Sequence, residues 1–189
     1  MASPMTYVST RGAAPDLGFA DVLLTGLARD GGLYVPSQWP SLTIADLRRF
    51  VGAPYAEVAT EVMWPFVAGA MTRDEFAALV AESYATFAHP DVVPLVDLGD
   101  DVFLAELFHG PTLAFKDIAL QLVGRLFDHE LSRRGERVTV VGATSGDTGS
   151  AAIEALRDRE SAEVFILHPH GRVSCLLYTS DAADDTPCV

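Results

Sequence analysis

Lysine is almost missing from this chain of 189 residues: of 13 basic residues 12 are arginine, and the one lysine is Lys116. Cysteine is almost missing as well. Cys175 and Cys188 both fall in the last 15 residues, which excludes a disulfide scaffold or a cysteine-ligated zinc from the body of the chain. Positive charge is scarce overall. A formal net charge of −13 argues against a nucleic-acid backbone or an anionic membrane as partner. No apolar run reaches the roughly 18 residues that a bilayer span needs. The opening MASPMTYVSTRGAAPD has no basic-then-apolar leader, so a cytoplasmic protein is expected. What is present is a 49% hydrophobic composition, enough for a buried core. The length suits one ordinary domain or part of a larger one.

Residues 1–88 read as a mostly helical lead-in. FADVLLTGLA (19–28) spaces its apolar groups helically, and RDGGLYVP turns at paired glycines into a short extended run closed by Pro36. Thr43 with Asp46, and Thr72 with Glu75, have the spacing of capping boxes that start helices. Between them, YAEVATEVMWPFVAGA continues a helical pattern that Pro65 is expected to kink or end. The pattern changes after His89-Pro90. Two apolar runs around Gly99-Asp100-Asp101 predict a hairpin, and a long helix is expected from about Ala114 to Arg134, stopped by Gly135. ERVTVVGAT, TGSAAIEALRDRE and AEVFILHP then alternate strand, helix and strand. That order is a βαβ unit, which predicts a parallel sheet covered on both faces.

The strand-to-helix turn VTVVGATSGDTGSAAIEA carries Gly142, Gly146 and Gly149. Ligands of open α/β sheets bind at this edge, and helix-start amides favour an anion. A Walker loop would need a lysine here, and Gly142 and Gly146 are too far apart for a dinucleotide fingerprint. Thr144, Ser145 and Thr148 offer hydroxyls beside Asp147, a set better suited to a singly charged carboxylate than to a phosphate. The plainer alternative is a turn in which Asp147 or Thr148 is an N-cap.

Lys116 sits in HGPTLAFKDIALQ. A composition of 12 arginines to one lysine suggests that arginine has replaced lysine wherever charge alone matters. Arginine cannot be deprotonated, so an amine that must act as a nucleophile cannot be replaced in this way. Leu113, Ala114 and Phe115 before it, and Ile118, Ala119 and Leu120 after it, promise desolvation that favours the neutral amine.

HGPTLAFKD followed by GATSGDTGSAA resembles threonine synthase, a pyridoxal 5'-phosphate enzyme of the tryptophan-synthase-β fold type. YVSTRG and FADVLLTGLARDGGLYVP resemble that family's N-terminal segment. The resemblance implies an incomplete α/β fold: residues 1–88 as the helical N-terminal segment and 89–174 as the start of the catalytic domain. It implies that Lys116 is the Schiff-base lysine, flanked by Phe115 and Asp117, with Phe115 beside the cofactor. It also implies that Thr144, Ser145, Gly146, Asp147 and Thr148 hold the substrate's α-carboxylate. The implied reaction converts O-phospho-L-homoserine and water to L-threonine and phosphate. A serine or threonine dehydratase of the same fold, or a non-catalytic anion-binding α/β module, would share some of these features.

Three other features have two readings each. His109 lies in the lysine motif and could face substrate or pack a turn. Arg11 in STRG could meet a phosphate or form a structural pair. His168 and His170 could share a metal but lack a third ligand, so no metal is expected. The resemblance breaks at Cys175, and residues 175–189 read as an adapter-derived, non-native tail. In the family the cofactor's phosphate cradle and the partner of its ring nitrogen lie further along. The chain alone is therefore expected to be inactive and prone to aggregate.

Overall fold

The computed structural model describes residues 4–144 and 146–170. The chain gathers into two compact units, one within Met1–Ala81 and one within Glu82–Val189.

The first unit contains a small sheet that apolar periodicity does not announce. Strands β1 (Thr6–Ser9), β2 (Leu17–Gly18) and β3 (Tyr34–Pro36) pair antiparallel in the order β2-β1-β3. At two to four residues each, they are too short to show a period, and they add a small sheet to a lead-in whose ordered elements are mostly helical. Asp30 ties the sheet to its loops. Its carboxylate accepts from the Ser9 hydroxyl at 2.8 Å and from the Gly32 and Ala13 amides at 2.9 Å. These bonds, the Gly32 amide first, hold the Asp30 carboxyl below its ordinary range, against the opposing effect of desolvation.

Helices α1 (Phe19–Thr25), α2 (Ile44–Arg49), α3 (Tyr55–Val67) and α4 (Arg73–Tyr84) complete the lead-in. Both capping boxes form. The Thr43 hydroxyl accepts from the Asp46 amide at 3.2 Å while Asp46 accepts from the Thr43 amide at 2.9 Å. Thr72 and Glu75 do the same at 3.2 and 2.7 Å. Pro65 does not end α3 at once, because the helix runs on to Val67. Proline's fixed φ is helical, and so near the C-terminus it costs one missing donor. Phe76 and Val80 on α4 are completely buried, and the Trp64 and Phe76 rings meet at 6.1 Å.

In the second unit β4 (Leu95–Gly99) and β5 (Val102–Ala105) form the expected antiparallel hairpin, with every residue exposed. Helix α5 spans Asp117–Arg134 and ends at Gly135, whose φ of 66° and ψ of 30° place it in the left-handed region. A glycine takes that conformation without the Cβ clash other residues suffer. Near this end Glu130 lies buried and accepts from Arg133 at 3.0 and 2.7 Å, and also from Arg134.

Strand β6 (Val138–Ala143), helix α6 (Asp147–Leu156) and strand β7 (Ala162–Leu167) make the βαβ unit, with β6 and β7 parallel from Val138↔Ala162 to Ala143↔Leu167. Coverage of both sheet faces is not found among the described residues. Val141, Phe165 and Leu167 stand on one face and are exposed, with Val141 directly opposite Phe165. A strand places alternate side chains on opposite faces; here one of those faces is left exposed by the described residues.

Helix α5 packs on α6 through Gly124. A Cβ added there would lie 2.2 Å from the Ala155 carbonyl oxygen. Four residues further along α5, Asp128 accepts from the Ser161 hydroxyl at 2.5 Å and pairs with Arg159 at 3.6 Å. Contacts that advance together along both segments mean that α5 and α6 run in the same direction.

Candidate active site

This shared direction brings the two sequence motifs to one end of the unit. Lys116 precedes Gly124 by eight positions, and Asp147 precedes Ala155 by eight. At 1.5 Å rise per residue, each lies about 12 Å before the crossing point. The lysine motif and the glycine-rich turn thus both stand at the N-terminal ends of two packed helices, on the same side of their crossing.

The loop before α5 is held by Asp117, the first residue of that helix. Its side chain is 0% exposed. One carboxylate oxygen accepts from the Thr112 amide and the other from the Thr112 hydroxyl, both at 2.8 Å. Gly110 lies against it so closely that a Cβ would come within 2.4 Å of the Asp117 Cβ. The Leu113 amide donates to the Gly110 carbonyl at 3.1 Å, and Leu113 adopts a φ of 61°. That conformation costs a leucine roughly 1–2 kcal/mol, so the surrounding contacts must impose it. Helix α5 therefore starts at Asp117 rather than at Ala114: Thr112 and Ala114 are buried in the loop's own turn.

Lys116 is half-buried and follows this clamp directly. Its Nζ sits 4.3 Å from the centre of the Phe115 ring. The dry surroundings expected from its sequence neighbours do not form, because Leu113 and Phe115 are exposed, at 63% and 57%. The amine is presented on an open apolar surface instead of in a closed pocket.

At the glycine-rich turn, Gly146 is the N-cap of α6, and no side chain among the described residues caps the helix. Asp147 and Thr148 are both exposed and lie inside the first turn, so neither is the N-cap. The Thr144 amide donates to the Leu167 carbonyl at 3.0 Å, which fixes the turn to the end of β7. Its hydroxyl accepts from the Gly146 amide at 3.4 Å. The arrangement presents helix-start amides and two threonine hydroxyls, the chemistry of an anion site. Ser145 lies outside the described residues, as does the tail from Cys175.

The remaining candidates are placed elsewhere. His109 Nε2 lies 2.7 Å from Glu106, and its ring meets those of Phe108 and His89 at 4.6 and 5.1 Å, a packed local cluster. Arg11 donates to the Asp30 carbonyl at 3.0 Å within the first unit's loop knot. His168 and His170 follow β7, and among the described residues no group of three or more metal-binding side chains occurs. Sequence reasoning missed the Thr112–Asp117 pair. A threonine five residues before an acid at a helix start was the available signal, but it does not by itself reveal burial.

Known proteins point to one family. Residues 6–84 match the model described as the threonine synthase N terminus. The chain is 58% identical over 170 residues to a threonine synthase of Pseudomonas aeruginosa, covering 90% of this chain and 36% of that protein. It is 45% identical over 183 residues to a threonine synthase of Schizosaccharomyces pombe, covering 92% and 36%. Among solved structures, the pyridoxal-phosphate-bound threonine synthase of Brucella melitensis matches with a TM-score of 0.90 and 54% identity, over 93% of this chain and 38% of that one. The yeast enzyme matches with a TM-score of 0.86 and 40% identity, over 93% and 37%. The chain spans little more than a third of the length of these relatives. In sequence and in fold it corresponds to an N-terminal portion of the threonine synthases.

Proposed function

We propose that the chain supplies the lysine and the carboxylate-binding turn of a threonine synthase acting on O-phospho-L-homoserine and water. The observation that supports this reading is the packing of α5 on α6 through Gly124 and Ala155, with Lys116 and the opening amides of α6 both on the N-terminal side of that crossing. The donor set suits pyridoxal 5'-phosphate at its aldehyde end. Lys116 is the chain's one lysine, and Phe115 places a flat apolar ring beside the amine. When bound, the cofactor supplies an electron sink for carbanion chemistry at the amino acid.

The chain's own residues provide positioning and proton transfer. The opening amides of α6, with the hydroxyls of Thr144 and Thr148 and the Ser145 of the same turn, receive the substrate's α-carboxylate. Gly146 leaves the turn's backbone open, and Asp147 disfavours a more highly charged guest. Lys116 holds the cofactor aldehyde, and its amine, once free, takes and returns protons at the substrate's Cα and Cβ. Across the whole reaction the Cγ–O bond breaks with release of phosphate, and water adds at Cβ. The chain by itself is expected to form no threonine, because the resemblance puts the cradle for the cofactor phosphate further along the family's chain. No helix among the described residues is long and apolar enough to cross a membrane, and the reading places the activity in the cytoplasm.

A chimera tests this. Residues 1–170 are joined to the remaining length of the Pseudomonas aeruginosa threonine synthase and expressed in a threonine auxotroph. Growth without threonine is expected, with phosphate release from O-phosphohomoserine. Lys116→Arg keeps the charge and should lower that release by roughly a thousandfold or more. Equal release by the arginine variant would refute the role of Lys116.

A further inference from the structure

The buried carboxylate beside Lys116 has no part in the chemistry above. Asp117 is fully buried at the first position of α5, where the helix dipole favours a negative charge. Both of its hydrogen-bond donors come from Thr112, also buried, five residues back in the chain. A helix cap of the ordinary kind satisfies that helix's own amides. This carboxylate instead reaches backward and closes a loop. The loop contains Leu113 in a left-handed conformation, and Gly110, two residues before Thr112, is pressed on the acid with no room for a Cβ. Residues 112 to 117 are thereby fixed at both ends, and Lys116 is the last residue before the closing point.

We propose that Asp117, acting through Thr112, is a positioning residue that sets where the Lys116 amine is presented. This rests on the reading of Lys116 as the cofactor-holding amine. The physical argument is one of restraint. A lysine side chain has four rotatable bonds, and its useful positions depend on where its Cα is held. Two charge-assisted bonds in a buried site hold that Cα more firmly than a solvent-exposed loop can. The residues on either side favour the same geometry: the Leu120 amide donates to the Lys116 carbonyl at 2.9 Å, starting the helix from the lysine itself.

The single lysine makes the test specific, because any amine reagent reads Lys116 apart only from the N-terminal amine. The full chain and its Asp117→Asn, Thr112→Val and Thr112→Ser variants are treated with pyridoxal phosphate and borohydride. Mass spectrometry then locates the reduced adduct, and circular dichroism checks folding. Thr112→Val preserves shape and one of the two bonds, so it tests the clamp even if Asp117→Asn fails to fold. The saturating rate of trapping at Lys116 should fall at least tenfold in Asp117→Asn and Thr112→Val. The half-saturating cofactor concentration should change less, and Thr112→Ser should stay within twofold of the parent. Trapping at parental rates in folded Thr112→Val overturns the proposal.

A second readout separates this inference from the functional reading. Trinitrobenzenesulfonate labels Lys116 without any cofactor, and its rate is followed against pH. If pyridoxal phosphate is not trapped on the parent chain but Thr112→Val changes the labelling rate threefold or more, the positioning role stands independently of the cofactor reading, which the chimera decides. Identical labelling profiles in all variants overturn the positioning role.

Discussion

Replacing Gly124 by alanine tests the helix crossing on which the site depends. An alanine in mid-helix is intrinsically better than glycine by about 1 kcal/mol, so propensity alone predicts stabilisation. The packing predicts the reverse. The new Cβ would stand 2.2 Å from the Ala155 carbonyl oxygen and 2.9 Å from its carbon, and both are backbone atoms that cannot rotate away. The helices must separate by about 1 Å to reach ordinary contact, and such overpacking costs roughly 1–3 kcal/mol. With two backbone atoms involved, the upper part of that range applies, which leaves a net loss of about 1–2 kcal/mol. Urea unfolding followed by far-ultraviolet circular dichroism is the assay. For a slope of about 2 kcal/mol per M, the midpoint should fall by about 0.5–1 M. Gly124→Ala combined with Ala155→Gly should not recover, because the obstructing oxygen belongs to the main chain. A midpoint equal to or above the parent's would refute the close crossing, and with it the argument that Lys116 and the α6 turn lie on the same side of it.

Two further perturbations follow from local geometry. Thr72→Ala removes the hydroxyl that accepts the Glu75 amide and should destabilise α4 by about 1 kcal/mol, read as a lower urea midpoint; no change would mean that the box contributes nothing in context. Burial raises the carboxyl of Glu130, but hydrogen bonds from Arg133 and Arg134 outweigh it and leave the group lowered. A carboxyl lowered in the folded state contributes stability above its unfolded value of about 4.3, and that contribution is lost as pH falls through the folded value. Glu130→Gln should therefore cost roughly 1–3 kcal/mol near neutrality and flatten the loss of stability in acid. An unchanged acid profile would refute that coupling.

Much of this chain can be read from local pattern. Thr43-Asp46 and Thr72-Glu75 announce helix starts because a capping box involves residues only three apart. Gly135 announces the end of α5 through its own backbone conformation. The alternation of strand and helix from Val138 to Leu167 specifies a parallel pair, since a helix between two strands returns the chain to the same end. Lys116 stands out in composition as the chain's one lysine, and its role as the reacting amine remains the proposal that the chimera tests. The small sheet of the first unit was not legible: its strands are short, and Ser9 finds its partner Tyr34 twenty-five residues away.

The sequence by itself determined most helix starts and stops, the hairpin and the βαβ order, because capping and turn conformation are properties of a few neighbouring residues. Only the tertiary structure decided three other matters. Asp117 turns inward to Thr112, α5 and α6 run side by side in one direction, and Val141, Phe165 and Leu167 face outward together. Each of these depends on which surfaces meet after the elements have formed. Burial, helix crossing and an uncovered face are set by how the elements pack, which the spacing of neighbouring residues does not encode.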